Sequence, residues 1–221
     1  GDCHGSSRGQ DGFTLSLFGY DPEGDYFRLM EEYPGRRVSL AEPETSLLLT
    51  KATGQVAHTG GELFTSDTES YQIILEWLEQ GARQDPDDTA LAAGIRFEQD
   101  SHKFAKPGGS LQTKIIATYD DGSERDITRW CLFMTSNESV AAIDDAGLIT
   151  APKAGGAHVF ARFDKFTVGM EITVLPEGDF AWPNPPTQNY IDELVFAKLK
   201  DMRILPSELC NDCLLYTSDA A

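Results

Sequence analysis

The spacing of apolar residues changes once along the chain, and this change constrains the fold more than any other feature. In "SDTESYQIILEWLEQGA", Tyr71, Ile74, Leu75 and Leu78 follow the i, i+3, i+4, i+7 pattern of an amphipathic helix. From about residue 94 the apolar residues alternate, in short runs such as "SLQTKIIATY" separated by Gly, Asp and Asn turns. The sequence therefore predicts a helical module followed by an all-β module, a β-sandwich.

Composition places the boundaries of these modules. We expect a helical domain over residues 1–84, a polar linker over 85–93, a β-sandwich over 94–175 and a Pro-rich linker over 176–186. An amphipathic helix in 187–212 reads as the start of a third, truncated domain, with Thr187 as its cap. In the first module, Ser66 or Asp67 is the expected cap of the Trp77 helix. Charge supports separate modules, because residues 1–86 carry six basic and fifteen acidic residues, and residues 94–175 carry nine and eleven.

Net charge and missing motifs exclude several classes of protein. The 18 Lys and Arg residues face 36 Asp and Glu residues, which gives a formal charge of −18 and argues against binding nucleic acid or an anionic membrane. No apolar run approaches the roughly 18 residues of a membrane span. The sequence has no P-loop, no G-x-G-x-x-G after a strand and no H-E-x-x-H motif. No catalytic constellation is therefore indicated.

The two ends of the chain suggest a fragment of a longer protein. "CLLYTSDAA" at 213–221 resembles translated sequencing-adapter read-through, so we expect this tail to be non-native and the Cys210-x-x-Cys213 pair to be accidental. "GDCHG" at the start places Cys3 next to His4, the last two letters of the C-x-x-C-H motif that attaches c-type haem. The first cysteine of that motif, and any signal peptide, would then precede Gly1. The alternative is an ordinary surface Cys-His pair.

Three further stretches give a family resemblance. "YQIILEWLEQGA" has the Trp-x-x-x-Gly-Ala ending of a cytochrome c C-terminal helix, and "PETSLLLTKATG" resembles the stretch before the distal ligand. With "CHGSSRGQDGFTLSLFGYDPEGDY", the chain resembles the cytochrome c-like domain of large multidomain planctomycete proteins. Residues 94–175, with "ATYDDGSERDIT" and "TSNESVAAIDDAGLITAPKAGGAHVFARF", resemble a group 2 bacterial immunoglobulin-like domain. "PPTQNYIDELVFAKLKDMRILPSELC" resembles the start of the conserved uncharacterised domain that follows in those proteins.

The resemblance implies a haem c cofactor and a set of iron ligands. Cys3 would form a thioether to the haem, and His4 would be the proximal axial ligand. His58, in the loop between the Leu-rich helix and the Trp77 helix, is the candidate for the distal ligand. The alternatives are an iron that is five-coordinate or water-bound, or ligation by Met30.

Other residues have a functional and a plain structural interpretation. Trp77 is expected to serve helix packing, and Arg36 and Arg37 either pair with haem propionates or form solvated surface. Cys131 is expected to be a small buried residue on a strand. Either lining of the haem pocket or ordinary core would explain Phe13, Leu15, Leu17 and Phe18. The acidic pairs Asp120-Asp121 and Asp144-Asp145 are either calcium ligands or turn residues. His102 and His158 are expected at the surface.

Together these features predict a haem-dependent electron-transfer module in an exported protein, located in the periplasm or at the cell surface. They favour an electron carrier over an enzyme and do not identify the redox partner. The alternative is a cell-surface adhesion or interaction module. Its cytochrome-like part would be a haemless remnant, and its immunoglobulin-like part would bind a cell-surface or polysaccharide ligand.

Overall fold

A computed structural model describes residues 4–5, 9–86 and 88–207, with the side chain of Phe18 outside the description. The chain divides into two compact units, Gly1–Ala92 with Tyr119–Asp121, and Ala93–Thr118 with Gly122–Ala221. The first is helical and the second is built mainly from antiparallel β-strands. No helix among the described residues has the length and apolar character needed to cross a membrane.

Among its described residues, the helical unit has three short α-helices joined by long loops. They are α1 (Pro22–Tyr26), α2 (Leu47–Ala52) and α3 (Glu69–Glu79). A π-helical turn, Phe27–Glu31, continues α1, and 3-10 turns lie at Leu17–Gly19 and Pro43–Thr45. Short helices are marginal alone, so packing must stabilise them.

Both ends of α3 have specific caps. The N-cap is Thr68, whose hydroxyl accepts a hydrogen bond from the Tyr71 amide at 3.4 Å, so the expectation of Ser66 or Asp67 was wrong. At the other end, Gly81 and Ala82 both have positive φ, 91° and 47°. The Ala82 amide donates to the Trp77 carbonyl at 2.8 Å and the Gly81 amide to the Leu78 carbonyl at 3.0 Å, which satisfies the last carbonyls of the helix.

The core of the helical unit forms where the apolar face of α3 meets α2 and its flanking loops. Leu78 and Leu49 are almost fully buried there, and the Ala82 methyl group is fully buried. The Trp77 indole nitrogen donates to the Arg83 carbonyl at 3.0 Å, which fixes the ring beside the core. The core residues are Val38, Leu49, Tyr71, Leu75, Leu78 and Ala82, with Met30, Leu48, Phe64, Ile74 and Trp77 packed against them.

In the described part of the β-sheet unit there are ten strands in three sheets. The sheet orders are β1-β4-β5, β2-β10-β9-β6 and β3-β8-β7. In the second sheet, β10 pairs with β9 in antiparallel register and with β2 in parallel register, Glu171 opposite Ser101. The strands are β1 (Ala92–Phe97), β2 (Ser101–Phe104), β3 (Gly109–Gln112), β4 (Ile115–Tyr119), β5 (Glu124–Asp126), β6 (Leu132–Thr135), β7 (Ala142–Ile143), β8 (Leu148–Ala151), β9 (Gly155–Phe163) and β10 (Phe166–Val174).

The alternation read from the sequence appears as alternating burial along the strands. Ala157, Val159 and Ala161 of β9 are buried, as are Met170 and Ile172 of β10. One face of this sheet therefore belongs to the core of the unit.

Two loops of the β-sheet unit explain the roles of Asp144 and Cys131. The Asp144 carboxylate accepts hydrogen bonds from the amides of Ala146 and Leu148, both at 2.9 Å, which is ordinary turn chemistry. Cys131 is buried as expected, but it follows the 3-10 turn Thr128–Trp130 and precedes β6, so its placement on a strand was wrong.

The helix α4 (Tyr190–Asp201) is joined to the strands of the β-sheet unit by ion pairs. It begins with a capping box in which the Asn189 side chain accepts from the amides of Ile191 and Asp192, so Thr187 is not its cap. Ion pairs join Lys198 to Glu171 of β10, and Asp201 to Lys103 of β2.

Candidate functional site

A cavity of about 330 Å³ lies within the helical unit. Its walls come from the segment after His4, the end of the π-helical turn, α2 and the loop that follows α2. Most of its lining is apolar, and both His4 and His58 face it. Apolar walls with a few polar groups are typical of a small-molecule site. The apolar lining residues are Phe13, Leu15, Leu29, Leu47, Leu48, Ala52 and Leu63.

The two histidines lie parallel to each other at this cavity. Their ring centroids are 5.8 Å apart and the ring planes differ by 9°. Imidazole nitrogens bind a first-row metal such as zinc at about 2.0–2.1 Å, so two rings on opposite sides of one metal have centres roughly 6 Å apart. The observed distance of 5.8 Å between the centroids is close to this value, and the two rings are stacked.

The His4 ring is held by the backbone. Its Nδ1 lies 3.0 Å from the carbonyl oxygen of Phe13, to which it donates, and the two rings are also in contact with centroids 4.8 Å apart. The His4 carbonyl in turn accepts from the Leu15 amide at 2.9 Å. The bond to Phe13 assigns the proton to Nδ1, leaves the lone pair on Nε2 and fixes the orientation of the ring.

His58 is held differently, although the loop around it is ordered by turns. Its carbonyl accepts from the Gly61 amide at 3.0 Å. Within the described part of the chain, Nδ1 of His58 is buried and has no hydrogen-bond partner. The ring lies against Gly60, where an added Cβ atom would come within 2.8 Å of Cε1 and 3.1 Å of Nδ1. This glycine therefore leaves the space that the ring occupies.

Three cationic side chains line the cavity, together with the acidic Asp11. The cationic residues are Arg36, Arg37 and Lys51. Arg37 is fixed in place, because it pairs with Glu32 at 2.8 Å and stacks 4.3 Å above the Phe13 ring. The exposed Arg36 lies over the Tyr33 ring at 5.7 Å. An apolar cavity with three cationic lining side chains suits an apolar ligand that carries carboxylates.

The structure separates the remaining predicted site residues. Cys3 lies outside the described residues, and so does the side chain of Phe18. Phe13 and Leu15 line the cavity, whereas Leu17 is about half exposed. Met30 packs against the helical core instead, as Trp77 does.

The histidines of the β-sheet unit lie on its strands. His102 is on β2 and His158 on β9, where each contacts a phenylalanine ring, Phe104 and Phe160. Among residues 4–5, 9–86 and 88–207, no group of three or more His, Cys, Asp or Glu side chains is arranged to hold a metal ion.

Sequence reasoning missed the contribution of α2 and of the segment before it. Leu29, Tyr33, Leu47, Leu48 and Lys51 all line the cavity. Leu29, Tyr33 and Arg37 do not lie on one helix, because the π-helical turn ends at Glu31 and Pro34 and Gly35 follow. Leu47 and Lys51 are spaced i, i+4 and share a face of α2. Periodicity shows that such residues share a face, but it does not show which cavity that face lines.

Comparisons with known proteins add little to this geometry. No family model and no curated protein matches the chain. Among solved structures it is similar to domains 5–6 of the S-layer protein SbsC, at 13% identity and a TM-score of 0.35, over 42% of this chain and 49% of that one. It is also similar to the S-layer protein rSbsC(31-844), at 12% identity and a TM-score of 0.35, over 42% of this chain and 14% of that one. The chain spans about half or less of these structures, and similarity of this size supports no conclusion about fold or function.

Proposed function

We propose that the helical unit is a cytochrome c-like domain that binds haem c and transfers electrons. In this proposal it belongs to an exported multidomain protein of the periplasm or cell surface, and the β-sheet unit is a group 2 bacterial immunoglobulin-like domain. The observation that carries the proposal is the pair of parallel imidazoles, His4 and His58, 5.8 Å apart at one apolar cavity.

The chemistry of the donor set fits haem. Two imidazoles, apolar walls and cationic side chains correspond to the three parts of that cofactor, its iron, its macrocycle and its propionates. Bound haem would supply a one-electron ferric–ferrous couple. Nδ1 of His58 is buried and has no hydrogen-bond partner among the described residues. No side-chain hydrogen bond at this atom therefore accounts for the position of His58 at the cavity.

The residues of this chain would each have a limited task. His4 Nε2 is free to ligate because Nδ1 donates to Phe13, and this hydrogen bond also raises the basicity of the ligand. The half-buried Leu29, Leu47 and Leu48 would give the macrocycle apolar contacts. Arg36, Arg37 and Lys51 provide positive charge for the carboxylates. Two imidazoles favour a lower reduction potential than a His–Met pair does.

The test is a titration of the purified full chain with ferric haem, followed by absorbance. We expect binding with a low-spin, bis-imidazole spectrum, a loss of affinity in His4→Ala, and a change to a high-spin spectrum in His58→Ala. His158→Ala, an exposed histidine of the β-sheet unit, is the matched control and should behave as wild type. A second sample, expressed with c-type maturation machinery, should retain haem through acid-acetone extraction if Cys3 forms a thioether.

One outcome would contradict the proposal directly. A chain that is folded by circular dichroism, yet binds no haem, is not an electron-transfer module of this kind. The second candidate function, a cell-surface interaction module with a haemless remnant, would then remain.

A further inference from the structure

The two histidines of the cavity differ in how the chain holds them. His4 has a hydrogen bond from Nδ1 to the Phe13 carbonyl and a ring contact with the same residue. His58 has neither, because its buried Nδ1 has no partner among the described residues. Since partners of this kind fix and strengthen a ligating imidazole, removing one typically lowers metal affinity by about 10- to 100-fold.

His58 also lies close to several glycines and to a solvent-exposed edge of the cavity. It lies in a loop with glycines on both sides, Gly54 before it and Gly60 and Gly61 after it, and Gly54 and Gly61 have positive φ. Its neighbours Thr59 and Leu63 line the cavity and are exposed to solvent, Leu63 by 70%. The cavity is therefore open to solvent beside His58, as it also is at the exposed lining residues Gln10, Asp11 and Gly12.

We infer that His58 is an exchangeable ligand of the bound haem iron, whereas His4 is a permanent one, so that small neutral donor molecules can take the place of His58. This inference rests on the proposed function. In the exchange, the His58 Nε2 atom leaves with its lone pair and the incoming molecule donates one. The chain neither gains nor loses an electron or a proton. The helical unit would then bind a small ligand as well as carry electrons.

Carbon monoxide is the probe, mixed rapidly with the reduced, haem-loaded full chain and followed by absorbance. Dissociation of His58 must precede binding, so the observed rate should rise with carbon monoxide concentration and then reach a plateau. His58→Ala should bind without a plateau, at a rate that stays proportional to concentration. His158→Ala is the control and should keep the wild-type plateau.

A second variant tests the same step while both imidazoles are kept. In Gly60→Ala, the new methyl group would lie 2.8 Å from Cε1 of His58 and must displace the ring. We expect a higher plateau rate than in wild type, with haem still bound.

The outcomes separate this inference from the proposed function. A chain that holds low-spin haem but binds no carbon monoxide, or whose plateau persists in His58→Ala, would overturn the exchange and leave haem binding intact. A wild-type rate without a plateau would show that His58 is not a ligand in the reduced protein and would also overturn it. Failure to bind haem, visible before carbon monoxide is added, would overturn both.

Discussion

Arg37 ties the wall of the cavity to the backbone that holds His4, and replacing it should destabilise the helical unit. Its guanidinium pairs with Glu32 at 2.8 Å, donates to the Arg28 carbonyl and stacks on Phe13 at 4.3 Å. Phe13 is also the residue whose carbonyl accepts the hydrogen bond from His4. Arg37→Met keeps most of the length of the side chain and removes all three polar interactions.

The expected loss follows from those contacts. The Arg37 side chain is 11% exposed and that of Glu32 is 31% exposed, so both are shielded from solvent for most of their surface. A hydrogen bond to a charged group contributes about 1.5–3 kcal/mol, and a cation–π contact about 0.5–2 kcal/mol. Because such terms are not additive, we expect Arg37→Met to lower the free energy of unfolding by about 2–4 kcal/mol.

Arg36→Met provides the matched control, since it is adjacent, makes the same charge change and removes an exposed side chain. We expect it to cost no more than about 0.5 kcal/mol. Urea unfolding would be followed by fluorescence of Trp77 after Trp130 and Trp182 have been replaced by Phe, so that the signal reports on the helical unit. If the two variants unfold within about 0.5 kcal/mol of each other, Arg37 does not hold the site together and the reasoning fails.

Three further predictions concern burial and charge elsewhere. Leu78 is 1% exposed, and Leu78→Ala should lower the free energy of unfolding by about 2–5 kcal/mol in the same fluorescence assay. Ile73→Ala, on the same helix and 47% exposed, should lower it far less. Equal losses of stability in the two variants would contradict the assigned core. A hydrogen bond from Lys198 lowers the pKa of Glu171, and a hydrogen bond from Lys103 lowers the pKa of Asp201. The two ion pairs therefore stabilise the fold at neutral pH, and this stabilisation is lost as pH falls below the ordinary carboxyl range. Hydrogen-exchange protection of α4 should therefore decrease in acid, and should depend less on pH in the Lys103→Gln, Lys198→Gln double variant; an unchanged dependence would argue against the pairs. Burial, with a smaller contribution from Asp126, raises the pKa of the Cys131 thiol to about 11. The free energy of unfolding should therefore fall as pH rises from about 9 towards 11. Alkylation of Cys131 at about pH 9, followed by peptide mapping, should be slow in the native protein and fast in urea.

Local patterns predicted those parts of the fold that local interactions determine. The i, i+3, i+4, i+7 spacing around Leu75 and Leu78 gave α3 and its buried face, and Gly81 marked its end. The caps were less predictable, because "TSDT" offers several side chains of similar capping strength and only Thr68 is placed to accept from the Tyr71 amide.

Long-range pairing could not be read from the sequence. Alternation in "FTVGMEITV" indicates a strand, yet it contains nothing to show that β10 lies between β2 and β9, parallel to the first and antiparallel to the second. In the candidate site, too, the sequence indicated individual residues but not how they are arranged in space. Adjacency to Cys3 singled out His4, and loop position singled out His58. Their separation and the difference in their hydrogen bonding depend on how α2, its following loop and the segment after His4 pack together.

The position of β10 also has a consequence for the order of events during synthesis. Among the described strands, β2 has β10 as its sole neighbour, and the paired residues Ser101 and Glu171 are seventy positions apart. At about 5–20 residues per second, a ribosome needs roughly 4–14 s to make the intervening chain. During that interval the edge of β2 has no strand to pair with. The nascent β-sheet unit therefore carries an unpaired strand, with Phe104 not yet buried, until residue 174 has emerged. The helical unit can bury its core earlier, from contacts closer in sequence.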